Sequence, residues 1–79
     1  MHARPSHRIV RLAARFESTI ELVCESRRCD TRHMLEVLAF GAWLAEHGSP
    51  PFEIVADGPD EAAAVDAMVV LIEERFGEG

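Results

Sequence analysis

Apolar and polar positions follow two rhythms along this chain, and each marks a different kind of element. Ile9, Leu12, Ala13 and Phe16 recur at i, i+3, i+4 and i+7, with Arg8, Arg11 and Arg15 off that face. The spacing predicts an amphipathic helix over about 5–16. Pro5 suits its first position, where a missing N–H costs nothing. Thr19-Ile20-Glu21-Leu22-Val23-Cys24 instead alternates with period two and is rich in β-formers, so it predicts a strand. Ser26-Arg27-Arg28 reads as a polar turn without glycine. Cys29-Asp30 then begins a very short second strand or an extended entry to the next helix, with Thr31 or Asp30 as its cap. Met34, Val37, Leu38 and Gly41 have helical spacing, and Gly41 either ends that segment or permits close packing. Residues 42–51 hold Gly48, Pro50 and Pro51 and predict a loop, with room for a helical piece around Ala42–Glu46.

Phe52-Glu53-Ile54-Val55-Ala56 predicts another strand. Asp57-Gly58-Pro59-Asp60-Glu61 predicts a turn into a helix, with acids where the helix dipole favours them. Val65, Met68, Val69, Ile72 and Phe76 repeat at i, i+3, i+4, i+7 and i+11, which predicts a helix over about 59–75, stopped by Gly77. Strands interleaved with helices in 79 residues imply an α+β fold in a single domain, 1–79. Two amphipathic helices would pack on one face of a small antiparallel sheet.

Composition narrows the partners. The apolar fraction of 48% belongs to a globular chain. No apolar run approaches the roughly 20 residues of a membrane span, and Arg8, Arg11 and Arg15 interrupt what would be a secretory core. The expectation is a cytoplasmic protein without direct membrane insertion. The net charge is −6 and unevenly spread: residues 1–32 carry seven Arg against four acids, residues 33–79 one Arg against ten. The acidic total and scarce aromatics argue against nucleic acid. The arginine-edged N-terminal part could steer an acidic partner or an anion. Cys24 and Cys29 read as two reduced strand residues, and they cannot make a four-ligand zinc site. His2 and His7 alone make a poor metal site, so no metal and no cofactor are expected. The chain shows no catalytic carboxylate pair, no phosphate-cradling glycine loop and no Ser/His/Asp set.

The remaining chemistry lies at Met1-His2-Ala3-Arg4-Pro5. This order places an imidazole and a guanidinium at the mouth of a helix, where unpaired N–H groups and the dipole attract anions. A histidine there can accept and hand on a phosphoryl group. Arg4 offers charge-assisted hydrogen bonds to its oxygens, and the N–H groups of Ser6 and His7 can point the same way.

Met1-His2-Ala3-Arg4-Pro5 resembles the Leu-His-Ala-Arg-Pro signature of HPr, the histidine phosphocarrier of the bacterial phosphoenolpyruvate-dependent phosphotransferase system. The resemblance continues through Arg15-Phe16-Glu17-Ser18, Asp30-Thr31-Arg32-His33-Met34-Leu35, Leu38-Ala39-Phe40-Gly41-Ala42, Ala56-Asp57-Gly58-Pro59-Asp60-Glu61 and Leu71-Ile72-Glu73-Glu74-Arg75-Phe76-Gly77-Glu78. It implies an open-faced β-sandwich of sheet order 1-4-2-3. In the family about a dozen residues precede the histidine and form an edge strand. The expectation here is a sheet lacking that first strand, with Phe52–Ala56 bared as an edge able to pair with a second copy. The resemblance further implies that His2 takes a phosphoryl group from phospho-Enzyme I and passes it to IIA-type proteins, a carrier rather than a stand-alone enzyme. It implies that Met34, Leu35 and Leu38 dock those partners, with Leu35 and Met34 the more exposed pair and Val37 buried. It also places His33 where many members carry a regulatory serine, so serine-kinase control should be absent. An alternative of a different class is an HPr-like regulatory module that binds partners without phosphoryl transfer and dimerises through the bared edge.

Overall fold

The computed structural model describes residues 5–77. Its elements run α1 (Pro5–Ala13), β1 (Thr19–Cys24), β2 (Arg27–Asp30), α2 (Met34–Glu46), β3 (Glu53–Asp57) and α3 (Glu61–Gly77). The strands form one antiparallel sheet in the order β2-β1-β3. Period-two alternation sends Ile20, Leu22 and Cys24 of β1 into the core. Register carries Cys29 and Ile54 to the same face beside Leu22. Three helices cover that face, and the other is open, which is the α+β architecture expected. Among the described residues no strand lies on the outer side of β3.

The core has two adjoining parts. Leu22, Cys24, Cys29, Val37 and Phe40 bury against one another, with Ile9 and Val10 of α1 packed on them. Ala13, Ile20, Ala64 and Met68 form the second, flanked by Leu12, Phe16 and Leu71. Thus α1 is wedged between α2 and α3, so three helices rather than two meet the sheet.

Several boundaries differ from the sequence reading, each for a local reason. Helix α1 stops at Ala13, three residues early. Arg15 and Phe16 donate to the carbonyls of Leu12 and Ala13, i→i−3 bonds that tighten the last turn and swing Phe16 onto the second core. Strand β2 begins at Arg27, because Glu25 takes a φ of +57° and a two-residue Glu25-Ser26 turn suffices to reverse the chain. Helix α2 does not end at Gly41 but runs to Glu46. Trp43 and Leu44 pack on the first core, and a Cβ at Gly41 would meet nothing, so the glycine is neither a stop nor a close-packing device. The helix ends instead where Gly48 and Ser49 turn to positive φ and the Ser49 N–H caps the Leu44 carbonyl. Strand β3 is displaced by one residue, since Phe52 leaves the ladder to pack edge-on against Phe40 at 5.8 Å.

Helix α3 starts at Glu61, two residues later than expected. The Asp60 carbonyl accepts from Ala64 N–H, but the Asp60 carboxylate turns away from its own helix. It accepts from the backbone N–H of Glu17 and Ser18 and from the Ser18 hydroxyl. This ties the α1–β1 loop to the start of α3. Arg32 closes the same loop from the other side, donating to the Glu17 and Ser18 carbonyls at 3.0 and 3.1 Å.

Candidate functional site

Pro5 opens α1, as its fixed φ and missing N–H suggest. His2 and Arg4 lie outside the described residues. Of the positions expected to hold an anion, Ser6 is half-buried and His7 exposed at the first turn. The early N–H groups of an α-helix, here those of Ser6 and His7, have no intrahelical acceptor. Arg8, Arg11 and Arg15 are all exposed, and the apolar side of the helix holds Ile9, Val10 and Ala13 against the core.

The N-terminus of α2 is built differently from the sequence expectation. Neither Thr31 nor Asp30 caps it. Thr31 is fully buried, and its hydroxyl donates to the Ile20 carbonyl at 2.8 Å, which removes it from solvent. Asp30 accepts instead from the Arg32 N–H at 3.0 Å and faces His33, whose Nε2 lies 3.6 Å from its second oxygen. His33 itself is the capping residue, in extended conformation and without a side-chain cap bond, and its carbonyl accepts from Val37 N–H. Its imidazole is exposed where the resemblance places a serine.

Helix α2 presents Leu35 at 80% exposure and Leu38 at 40%, while Val37 is 4% exposed. Met34 is half-buried. The more exposed pair is therefore Leu35 and Leu38, not Leu35 and Met34. Helical geometry explains this: Leu38 stands one residue past buried Val37 and shares the flank of Leu35, three positions earlier. Exposed leucines at this spacing form an apolar surface suited to a protein partner.

Sequence reasoning missed a second surface feature at the other end of α2. Trp43 stacks on the His47 ring at 4.3 Å, the Arg27 guanidinium lies 5.2 Å from the Trp43 ring centre, and His47 Nδ1 is 2.8 Å from the Trp43 carbonyl oxygen. The i, i+4 spacing of Trp43 and His47 was the available signal; the approach of Arg27 depends on the hairpin.

Both cysteines are free thiols and buried. Burial, aided by Glu36, Asp30 and Glu21, pushes the Cys29 thiol up to about 12, so it is no nucleophile. Among the described residues no three His, Cys, Asp or Glu side chains gather as a metal site, and no helix is long and apolar enough to cross a membrane.

An open-faced antiparallel sheet under three helices, with a His-Ala-Arg-Pro run leading into the first, defines a phosphocarrier of the HPr type. The family model described as the "PTS HPr component phosphorylation site" matches residues 1–74. Phosphocarrier protein HPr of Cupriavidus necator is 34% identical over 79 residues, covering all of this chain and 84% of that protein. HPr of Treponema pallidum is 37% identical over 78 residues, covering 99% of this chain and 84% of that one. Among solved structures, a crystallised HPr dimer from Thermoanaerobacter tengcongensis superposes with a TM-score of 0.78 at 28% identity, covering 96% of this chain and 83% of that chain. The chain belongs to the HPr family of the phosphotransferase system.

Proposed function

We propose that this phosphocarrier, working as one domain over residues 1–79, accepts its phosphoryl group on His2 from phospho-Enzyme I and delivers it to IIA-type proteins. The observation that carries the assignment is that α1 opens at Pro5, the residue that follows His2-Ala3-Arg4 in the sequence. A neutral imidazole nitrogen attacks phosphorus, the bond to the donor breaks as the new N–P bond forms, and delivery reverses these changes. An unperturbed imidazole titrates near about 6.5, so much of it is nucleophilic at neutral pH. Arg4 and the N–H groups of Ser6 and His7 hold the phosphoryl oxygens. A helix N-terminus contributes about 0.3–1 kcal/mol to a nearby anion, enough to orient the group and weak enough to release it.

Leu35 and Leu38, with part of Met34, supply the apolar docking surface, and the exposed arginines of α1 steer acidic partners. His33 offers no hydroxyl to a serine kinase, and buried Thr31 offers none either. The test is incubation with phosphoenolpyruvate and Enzyme I. One phosphoryl mass is gained, it is lost in acid, and His2→Ala gains none. The competing reading, a binding module that carries no phosphoryl group and dimerises through β3, predicts partner binding unchanged in His2→Ala and no uptake by the wild type.

A further inference from the structure

Trp43 is the chain's one tryptophan, and it stands half-buried on α2 with groups from two elements against its ring. His47, the residue that ends α2, stacks on the indole with ring centres 4.3 Å apart and planes at 22°. Its Nδ1 lies 2.8 Å from the Trp43 carbonyl oxygen. A carbonyl can only accept, so Nδ1 carries the hydrogen, and in the neutral ring Nε2 is the bare nitrogen. Arg27, the first residue of β2, sets its guanidinium 5.2 Å from the same indole centre. Imidazole and guanidinium therefore lie within roughly 10 Å of each other, the screening length in about 0.1 M salt.

The other charged groups on the surrounding elements are placed as follows. Arg28 of β2 is held by Glu21 at 2.6 Å, and Glu36 of α2 accepts from the Asp30 N–H. Glu46, beside His47 in the chain, and Glu25, in the hairpin turn, are exposed acids. Helix α1 turns His7, Arg8, Arg11 and Arg15 to solvent, and the connection from Gly48 to Phe52 has no charge. Protonation of His47 puts a hydrogen on Nε2 and leaves the Nδ1 bond in place. That bond is then charge-assisted, at a helix end where the dipole favours a cation. Two cations now contend for one indole. The imidazolium is the closer, and it is tied to the carbonyl of the residue it stacks on. Arg27 is exposed and, among the described residues, makes no ion pair, so it is the group able to leave. We propose that Trp43 is a proton-controlled contact between α2 and β2: neutral His47 lets the indole hold Arg27, and protonated His47 displaces it. The contact joins the far end of the helix that carries Leu35 and Leu38 to the β1–β2 hairpin, so acid loosens that end.

The test follows both groups through one titration, from about pH 8 to about pH 5, the range in which a histidine changes charge. The chain has no tyrosine, so its near-ultraviolet emission comes from Trp43, and an imidazolium touching an indole quenches that emission. NMR reads the His47 ring protons and the Arg27 side-chain protons, which the indole ring current displaces. As His47 gains its proton, emission should fall in one step, and the Arg27 protons should reach the positions of a free arginine at the same midpoint. His47→Gln should remove both changes, and Arg27→Gln should keep the emission step. Both substituted side chains are exposed, and circular dichroism confirms that the variants are folded. Arg27 protons that stay displaced while His47 titrates, or that move equally in His47→Gln, overturn the proposal. So does an emission step lost in Arg27→Gln, or loss of the fold within this pH range.

Discussion

Replacing Gly58 by alanine should destabilise the protein more than any comparable change of one methyl on its surface. Gly58 sits between β3 and α3 at a φ of +153°, and a Cβ there would lie 2.6 Å from the Ser18 Cα and Oγ and 2.9 Å from its Cβ. Two costs add. A non-glycine residue in such a backbone region costs roughly 1–3 kcal/mol. Overpacking against Ser18, itself 1% exposed, costs about 1–3 kcal/mol more. The Ser18 Cα is backbone and cannot rotate away, so the total should be roughly 3–5 kcal/mol. A chain of 79 residues holds about 4–12 kcal/mol of net stability, so a quarter or more of it would go. At about 4–8 °C per kcal/mol for a domain of this size, Tm falls by at least about 12 °C. Thermal melts followed by circular dichroism, with urea titration as a second measure, read this directly. Ser18→Gly in the same chain removes the clashing Cβ and Oγ but leaves the backbone clash and the φ, so it restores only part of the loss. A Gly58→Ala protein melting within about 2 °C of wild type would refute the argument that this turn closes on Ser18.

The hydrogen bonds from Ser18, first its hydroxyl, and from Glu17 hold the Asp60 carboxyl below the ordinary carboxylate range. A depressed folded-state pKa contributes stability that is complete above the unfolded value and lost as pH falls through the folded one. Asp60→Asn should therefore flatten part of the acid side of a stability-against-pH curve, and an unchanged acid limb would count against the clasp. Cys29 should resist a thiol reagent in the native protein near pH 8 and react once urea unfolds it, as titrations under the two conditions will tell. Val37→Ala, in the buried row of α2, should cost about 1–3 kcal/mol by urea titration. Leu35→Glu, at 80% exposure, should leave Tm within about 2 °C yet raise the KM for phosphoryl uptake from Enzyme I several-fold; unaltered uptake kinetics would remove Leu35 from the docking surface.

The hydrophobic rhythm was enough to name five elements in order and left β2 open between a short strand and an extended entry to α2, because period 2 and period 3.6 leave different marks only on longer segments. Ends were harder to read. Phe16 fits the helical repeat of α1 yet turns out of it, since the place it fills belongs to the second core. Gly41 looked like punctuation, but α2 passes through it because Trp43 and Leu44 have a core to cover. Thr31 looks like a cap and Asp60 like an acid at a helix start, and both spend side-chain oxygens on distant backbone, at Ile20 and at Glu17-Ser18. A side-chain oxygen takes the donor or acceptor that the fold brings nearest, and local sequence does not say which that is.

The site divides along the same line. The imidazole and guanidinium of His2 and Arg4, and Pro5 opening a helix, are properties of adjacent residues, so the chain's order alone determines them. Which leucines of α2 face a partner is not such a property. A repeat of 3.6 marks an apolar stripe, and its width leaves two flanks; only the way α2 packs against α1 and β2 decides that Met34 is half-buried and that Leu38 stays out beside Leu35. Equally, the acids of β3 were visible as letters, but which residues of β1 they face depends on the register of the two strands. Local chemistry and periodicity are written in sequence neighbours, whereas exposure, register and the partners of buried polar groups arise between residues up to 43 positions apart.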